Sequence, residues 1–421
     1  MSSRAADNSV EGVNRVVITG IGAVTPLGNS FKESWEGLLE GRSGIRQLPA
    51  RLCCGGVTLG GLLNGFDAGL FLGVREINRL DSFVHYAVAA AEMALDDAAV
   101  KTPSGFASII GTSRGGITTI NAAAAELCAN ENKHRKVSAY LMPATTSSMA
   151  ASYISQKFRL RGHTLGISNA CTSGANAIGE AFRLIRHGYA KGALAGGAES
   201  PLCELCIEGY RASGALSKSS SLSASRSFSV GRDGFVLAEG ACVLVVEDYT
   251  SALSRGARVY AEVLGYGNTS DGLDMVRPDS GMQAVAMQSA LTEAGISPED
   301  IAFVNAHAAS TAIGDAVESE AIHKAFKNHT KCMPVTANKS MTGHMLSASA
   351  AFETAVTAMS ISSGFIPATI NIQKIDPACN LNIITKTLKF DPIRAGITNS
   401  FGFGGVNASI VLGAVPRQNL S

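Results

Sequence analysis

Cys171 lies in Ser168-Asn169-Ala170-Cys171-Thr172-Ser173-Gly174, a polar, small-residue turn that runs straight into a helical pattern. Apolar residues at Ala175, Ile178, Ala181, Phe182 and Ile185 recur at helical spacing. Arg186 and His187 fall in the last turn, and Gly188 closes it. A thiol at such a helix start faces unpaired backbone N–H groups and the positive end of the helix dipole, both of which favour thiolate. The expectation is a lowered thiol pKa and a nucleophile. On the local pattern alone a small buried hydrophobe fits equally well, so groups elsewhere in the chain must decide.

Three later segments supply what a reactive Cys171 needs. In Val304-Asn305-Ala306-His307 an apolar strand ends in a histidine, and α/β sheets present catalytic side chains at strand C-termini. Asn338-Lys339-Ser340-Met341-Thr342-Gly343-His344 is a polar turn carrying a lysine and a second histidine ahead of a small-residue helix. Asn399-Ser400-Phe401-Gly402-Phe403-Gly404-Gly405 has glycines that allow close backbone approach and offer N–H donors. Taken singly, these are a structural histidine, a surface lysine and a plain turn. With a cysteine at a helix start they make a set.

The elements that must position this set alternate between strand and helix. Arg15-Val16-Val17-Ile18-Thr19-Gly20-Ile21-Gly22 reads as a strand ending in glycines, followed by helical stretches near Trp35 and over 84–98. Further strands are expected at 107–111, 193–197, 301–306 and 408–412, with helices after Cys171, at 315–326 and after Gly343. The opening grammar recurs at Arg258-Val259-Tyr260-Ala261-Glu262-Val263-Leu264-Gly265-Tyr266-Gly267, followed by a helix over 282–294. That echo predicts an internal duplication: a polar extension over 1–14, a half over 15–255 bearing Cys171, and a half over 256–421 bearing the histidines. The alternation argues for mostly parallel sheet with helices on its faces.

Composition narrows the function class. Of 421 residues, 46% are hydrophobic and only 16% charged, with 45 glycines, so small side chains pack much of the chain and an extensive subunit interface is expected. A net charge of +1 without a Lys/Arg cluster lacks the footprint of a nucleic-acid binder. No signal peptide or membrane-spanning run is read, and nine scattered cysteines suit a reducing compartment, which points to the cytoplasm. Cys203-Glu204-Leu205-Cys206 has no second pair to complete a metal site.

In order along the chain, the Asn169–Gly174 turn, Gly196-Gly197-Ala198-Glu199, Arg232-Asp233-Gly234-Phe235-Val236, His307, Lys339 to His344 and Asn399 to Asn407 resemble the β-ketoacyl-acyl carrier protein synthases. The match is to the elongating, Cys-His-His type of condensing enzyme. It runs from about Arg15 to about Leu412. The resemblance implies a thiolase-like α/β fold, with duplicated βαβαβαββ halves in a five-layered α-β-α-β-α body, commonly a homodimer. It implies decarboxylative Claisen condensation of a Cys171-bound acyl group with malonyl carrier protein, in fatty acid or polyketide-type synthesis. Substrates would arrive on the phosphopantetheine of an acyl carrier protein, with no other cofactor and no metal.

By the same resemblance, His307 and His344 bind the second thioester and promote decarboxylation, and Lys339 and Glu353 support them. Phe401 gates the site and joins Cys171 in an oxyanion hole, and Thr311 contacts the pantetheine arm. The chain departs from the family at Ala309, where a second channel hydroxyl is usual, and in the loop Thr112-Ser113-Arg114-Gly115, from which the family often gates the acyl cavity and which here has no aliphatic side chain. Arg114 as a residue that shortens the cavity and Arg114 as an ordinary surface arginine are both open readings. The alternative is a non-catalytic partner resembling a chain-length factor within a heterodimer; such partners normally lack the nucleophile that this chain keeps. A thiolase would need a second cysteine near Phe401, and a priming synthase an asparagine at His344.

Overall fold

A computed structural model describes residues 13–129 and 137–415. Of the expected polar extension, residues 1–12 lie outside the described residues. The first half runs β1 (Val16–Val24), α1 (Ser82–Asp97), β2 (Ala107–Gly111), α2 (Met149–Lys157), β3 (Thr164–Ile167), α3 (Ser173–Arg186), β4 (Gly192–Glu199) and β5 (Gly240–Asp248). The second repeats the order as β6 (Ala261–Ser270), α4 (Ser280–Ala294), β7 (Phe303–Asn305), α5 (Ala312–Phe326), β8 (Val335–Thr336), α6 (Ser347–Ser363), β9 (Ala395–Gly402) and β10 (Val406–Gly413). Each half is βαβαβαββ.

The strands join in the order β8-β7-β9-β10-β6-β1-β5-β4-β2-β3, which reads the same from either end once the two repeats are matched. Parallel pairs are confined to the two ends, β7 with β8 and β9, and β2 with β3 and β4. The centre is antiparallel, including the β1–β6 seam between repeats. The expectation of mostly parallel sheet therefore holds only at the ends. The last two strands of each repeat have no crossover helix packed between them, so the second runs back antiparallel to the first and lies beside its repeat's opening strand.

Helices α1 and α2 cover one face of the first half-sheet, and α4 and α5 cover the second half-sheet; α3 and α6 pack on each other between the halves. These are the five layers. The repeated glycines explain the outer packing: a Cβ at Gly20 or Gly22 would overlap the α1 carbonyls of Ala94 and Ala90. Likewise a Cβ at Gly265 or Gly267 would overlap the α4 carbonyls of Ala290 and Ala286. The echo read in the sequence is thus one helix-on-strand approach used twice. The central layer needs helices apolar or small all round. Accordingly α6, with Ala348, Ala351, Phe352, Ala355 and Val356 in the main core, is buried nearly throughout.

Candidate active site

Cys171 sits in a single 3₁₀ turn, Ala170–Thr172, that leads directly into α3. The turn is held by its own polar side chains: the Asn169 amide N–H donates to Ser173 Oγ at 2.8 Å, and Thr172 Oγ1 donates to the Asn169 carbonyl at 2.6 Å. Asn176 ties it to the second half by donating to Tyr266 Oη at 2.6 Å. Ala170 has φ 49°, a left-handed conformation that costs a non-glycine residue about 1–2 kcal/mol. The same strain recurs at Ser310 (φ 70°) and Leu346 (φ 49°), beside the two histidine segments. Strain gathered at three converging loops marks a functional centre.

The second half delivers its groups onto this turn. His344 Nε2 lies 3.1 Å from Cys171 Sγ, and the His307 and His344 rings meet edge-on with centroids 5.3 Å apart. His344 Nδ1 faces Ser349 Oγ at 3.5 Å, and that hydroxyl accepts the Met345 N–H at 2.9 Å. Phe401 closes on His307 at 6.0 Å between ring centroids, while Phe235 packs edge-on against His344 at 5.1 Å. A Cβ at Gly402 would sit 3.2 Å from the Cys171 nitrogen, so the glycine-rich loop lies directly against the nucleophile turn. Lys339 is fully buried and donates to both carboxylate oxygens of Glu353, at 2.6 and 2.8 Å. The sequence-expected Cys171, His307, Lys339, His344, Glu353 and Phe401 are thus brought together.

Burial governs the charges. The Cys171 thiol is pushed up to about 12, chiefly by desolvation, with Lys339 and Arg114 pulling the other way. This corrects the expectation of a lowered thiol: the helix start is roofed by the other half of the molecule, and loss of water outweighs the dipole. His344 is held well below the usual histidine range by burial and then by the Lys339 ammonium. His307 is held there by burial, Lys339 and His344. Both imidazoles are neutral at neutral pH, and the resting cysteine is a thiol.

Burial also raises the Glu353 carboxyl to about 7, against the pull of Lys339. Lys339→Met should destabilise the fold by about 3–5 kcal/mol where Glu353 is left charged. A raised carboxylate pKa means that the folded state holds its proton more tightly than the unfolded one, so the variant loses stability as pH rises above 4.5. Urea unfolding should therefore show a larger deficit relative to wild type at pH 8 than at pH 6; equal deficits would contradict this.

A cavity of about 440 Å³ leads from the surface to Cys171, His307, His344 and Phe401, and Ala309, Thr311 and Phe403 also line it. Thr311 has a structural duty that the sequence did not suggest: its Oγ1 accepts the Gly314 N–H at 3.1 Å and caps α5. Its hydroxyl proton is still available to a ligand.

Glu318 was missed altogether. Fully buried, it accepts the backbone N–H groups of His307 (2.8 Å) and Ala308 (2.7 Å) and a bond from Asn399 Nδ2 at 3.3 Å, so it fixes the His307 loop. The available signal was its place with Asp315, Ser319 and Ile322 on one helix face, a carboxylate pointing inward. Among the described residues no cluster of three or more His, Cys, Asp or Glu could hold a metal.

A buried thiol with two neutral imidazoles, a lysine-glutamate pair and a glycine-rich loop on a duplicated five-layered body defines a condensing enzyme. The chain matches the Beta-ketoacyl synthase N-terminal domain over residues 13–252 and the corresponding C-terminal domain over 260–373. It belongs to the β-ketoacyl synthase family and has ketosynthase activity. It is 36% identical over 408 residues to the 3-oxoacyl-[acyl-carrier-protein] synthase 2 of Synechocystis sp., covering 94% of this chain and 97% of that one. Its structure is similar to the ishigamide ketosynthase/chain length factor, with a TM-score of 0.89 and 30% identity over 96% of this chain and 100% of that one. It is also similar to the AntDE ketosynthase in complex with AntF, a type II polyketide acyl carrier protein, with a TM-score of 0.86 and 31% identity at the same coverage. Among the described residues no helix is long and apolar enough to cross a membrane.

Proposed function

We propose that Cys171 carries an acyl group as a thioester and condenses it with malonyl carrier protein, giving a 3-oxoacyl carrier protein two carbons longer and carbon dioxide. The 3.1 Å contact between Cys171 Sγ and His344 Nε2 carries this reading. In the first half-reaction His344 Nε2 takes the thiol proton as sulfur attacks the acyl carbonyl, and returns it to the departing pantetheine sulfur. A buried thiol needs this base, because it does not ionise by itself.

In the second half-reaction malonyl thioester occupies the cavity and its carbonyl oxygen accepts hydrogen bonds from His307 and His344. The bond to the carboxylate breaks, carbon dioxide leaves, and the electron pair stays as an enolate. Neutral imidazoles stabilise that enolate without protonating its carbon. The enolate carbon then attacks the Cys171 thioester, whose oxyanion is held by the backbone N–H groups of Cys171 and Phe401, and collapse expels the Cys171 thiolate. Ser349 hydroxyl, a donor as well as an acceptor, serves either tautomer of His344. Lys339 and Glu353 keep the pocket polarised, and Thr311 meets the pantetheine arm.

The partner in this reading is an acyl carrier protein, and the assembly a cytoplasmic homodimer. The dimer reading is supported by an alanine-rich helix, Ile117–Ala129, that buries none of its residues, and by the exposed Tyr140, Met142 and Leu165. The division of the chain at residue 255 follows the two repeats. To test the function, the protein is incubated with acyl carrier proteins of different loads, acyl-Cys171 is followed by intact mass, and malonyl carrier protein is then added. Acylation followed by a two-carbon extension is expected. No acylation from any load would favour a non-catalytic partner instead.

A further inference from the structure

The mechanism above leaves one cation near the nucleophile without a role. β2 ends at Gly111, where a Cβ would overlap Ser173, so the loop that follows leaves the sheet against the nucleophile turn. That loop is pinned. The fully buried Glu199 carboxylate, at the end of β4, accepts the backbone N–H groups of Ser113 and of Arg114, the latter at 3.3 Å, and Thr112 Oγ1 accepts the Gly115 N–H at 3.0 Å. From it Arg114 donates through Nε to Tyr210 Oη at 3.0 Å, and its guanidinium carbon lies 5.2 Å from the Tyr210 ring centroid. Among the described residues no acceptor takes Nη1 or Nη2.

Tyr210 connects this cation to the chemistry. It lines the cavity with Cys171 and shares a buried cluster with it. Its ring packs on Phe235 at 5.4 Å and on Phe403 at 6.2 Å, and Phe235 in turn touches His344. The phenol hydroxyl, having accepted from Arg114, retains a proton to donate. Tyr210 lines the cavity, while Arg114 is exposed beside it and outside the lining; a guanidinium with two nitrogens free of protein acceptors and a phenol on the cavity wall recognise oxygen acceptors. A saturated chain laid over them would cover donors without pairing them.

We propose that Arg114 and Tyr210 are specificity-determining residues: they form a polar subsite beside Cys171 that selects acyl groups bearing an acceptor oxygen over saturated chains of equal length. The inference rests on the reading of Cys171 as the acyl-carrying nucleophile. The full-length protein is incubated with acyl carrier proteins carrying acetyl, hexanoyl, 3-hydroxyhexanoyl or adipoyl groups, and initial rates of acyl-Cys171 formation are measured by intact mass. Each rate is divided by the acetyl rate of the same protein, which cancels any change in the nucleophile itself.

Wild type should prefer at least one oxygen-bearing six-carbon load over hexanoyl by on the order of tenfold; the faster of the two shows whether the oxygen is a hydroxyl near the thioester or a distal carboxylate. Arg114→Ile should abolish or invert that preference, Tyr210→Phe should weaken it, and Arg114→Lys should retain part of it. Hexanoyl loading as fast as both oxygen-bearing groups in wild type, or an unchanged ratio in Arg114→Ile, would overturn the subsite while leaving the nucleophile reading intact. Absence of loading from all four carriers would overturn the nucleophile reading, and this inference with it.

Discussion

Cys171→Ala should abolish acylation and lower condensation by on the order of 10⁴-fold or more, because a nucleophile in a coupled set accounts for about that much alone. The loss is chemical rather than structural: alanine fills nearly the same volume in a buried turn whose hydrogen bonds come from Asn169, Thr172 and Ser173. Cys171→Gln separates the two halves of the reaction. Its amide occupies the place of an acyl thioester but has no leaving group, while His307 and His344 remain able to stabilise an enolate. Carbon dioxide release from malonyl carrier protein should therefore continue with no condensed product, measured by gas evolution beside intact-mass analysis. Condensation surviving in Cys171→Ala would contradict the mechanism.

The two histidines should separate in a similar way, because only one of them touches sulfur. His344 lies 3.1 Å from Cys171 Sγ, whereas His307 reaches the site through the cavity and the His344 ring. His344→Ala removes the base that a thiol pushed up to about 12 requires, so acylation should fall about 10²- to 10⁴-fold, and decarboxylation should fall with it. His307→Ala removes one enolate donor. Decarboxylation should fall about 10²- to 10³-fold while acylation from the acyl carrier stays close to wild type. Single-turnover acylation and carbon dioxide release, measured separately on each variant, read both steps. Equal loss of acylation in the two variants would remove His344 from its distinct role.

Much of this site was legible before any fold was considered. Cys171 stood at a polar turn opening a helical pattern and His307 at the end of an apolar strand, and neither was distinguished from a structural residue until the two were read as one set with Lys339, His344 and Phe401. The duplication showed itself through paired glycines that the structure explains as close helix-on-strand contacts. Glu318 was not legible, because nothing local distinguishes an inward carboxylate on a helix until its partners, the His307 and Ala308 N–H groups, are known. Thr311 read as a channel residue only, since its capping bond to Gly314 depends on where α5 begins.

By itself the sequence determined which groups are candidates for the chemistry, their order and the repeated strand-helix pattern, because residue type and periodicity are local properties, while the role proposed for each group came with the family resemblance. Only the tertiary structure decided their protonation. A cysteine at a helix start promises a thiolate, yet the second repeat covers it and withdraws water, and desolvation then outweighs a dipole that acts over a single turn. The same covering turns Lys339 from a surface residue into half of a buried pair, and sets Tyr210, whose hydroxyl accepts from the exposed Arg114, at the wall of the cavity that Cys171 shares.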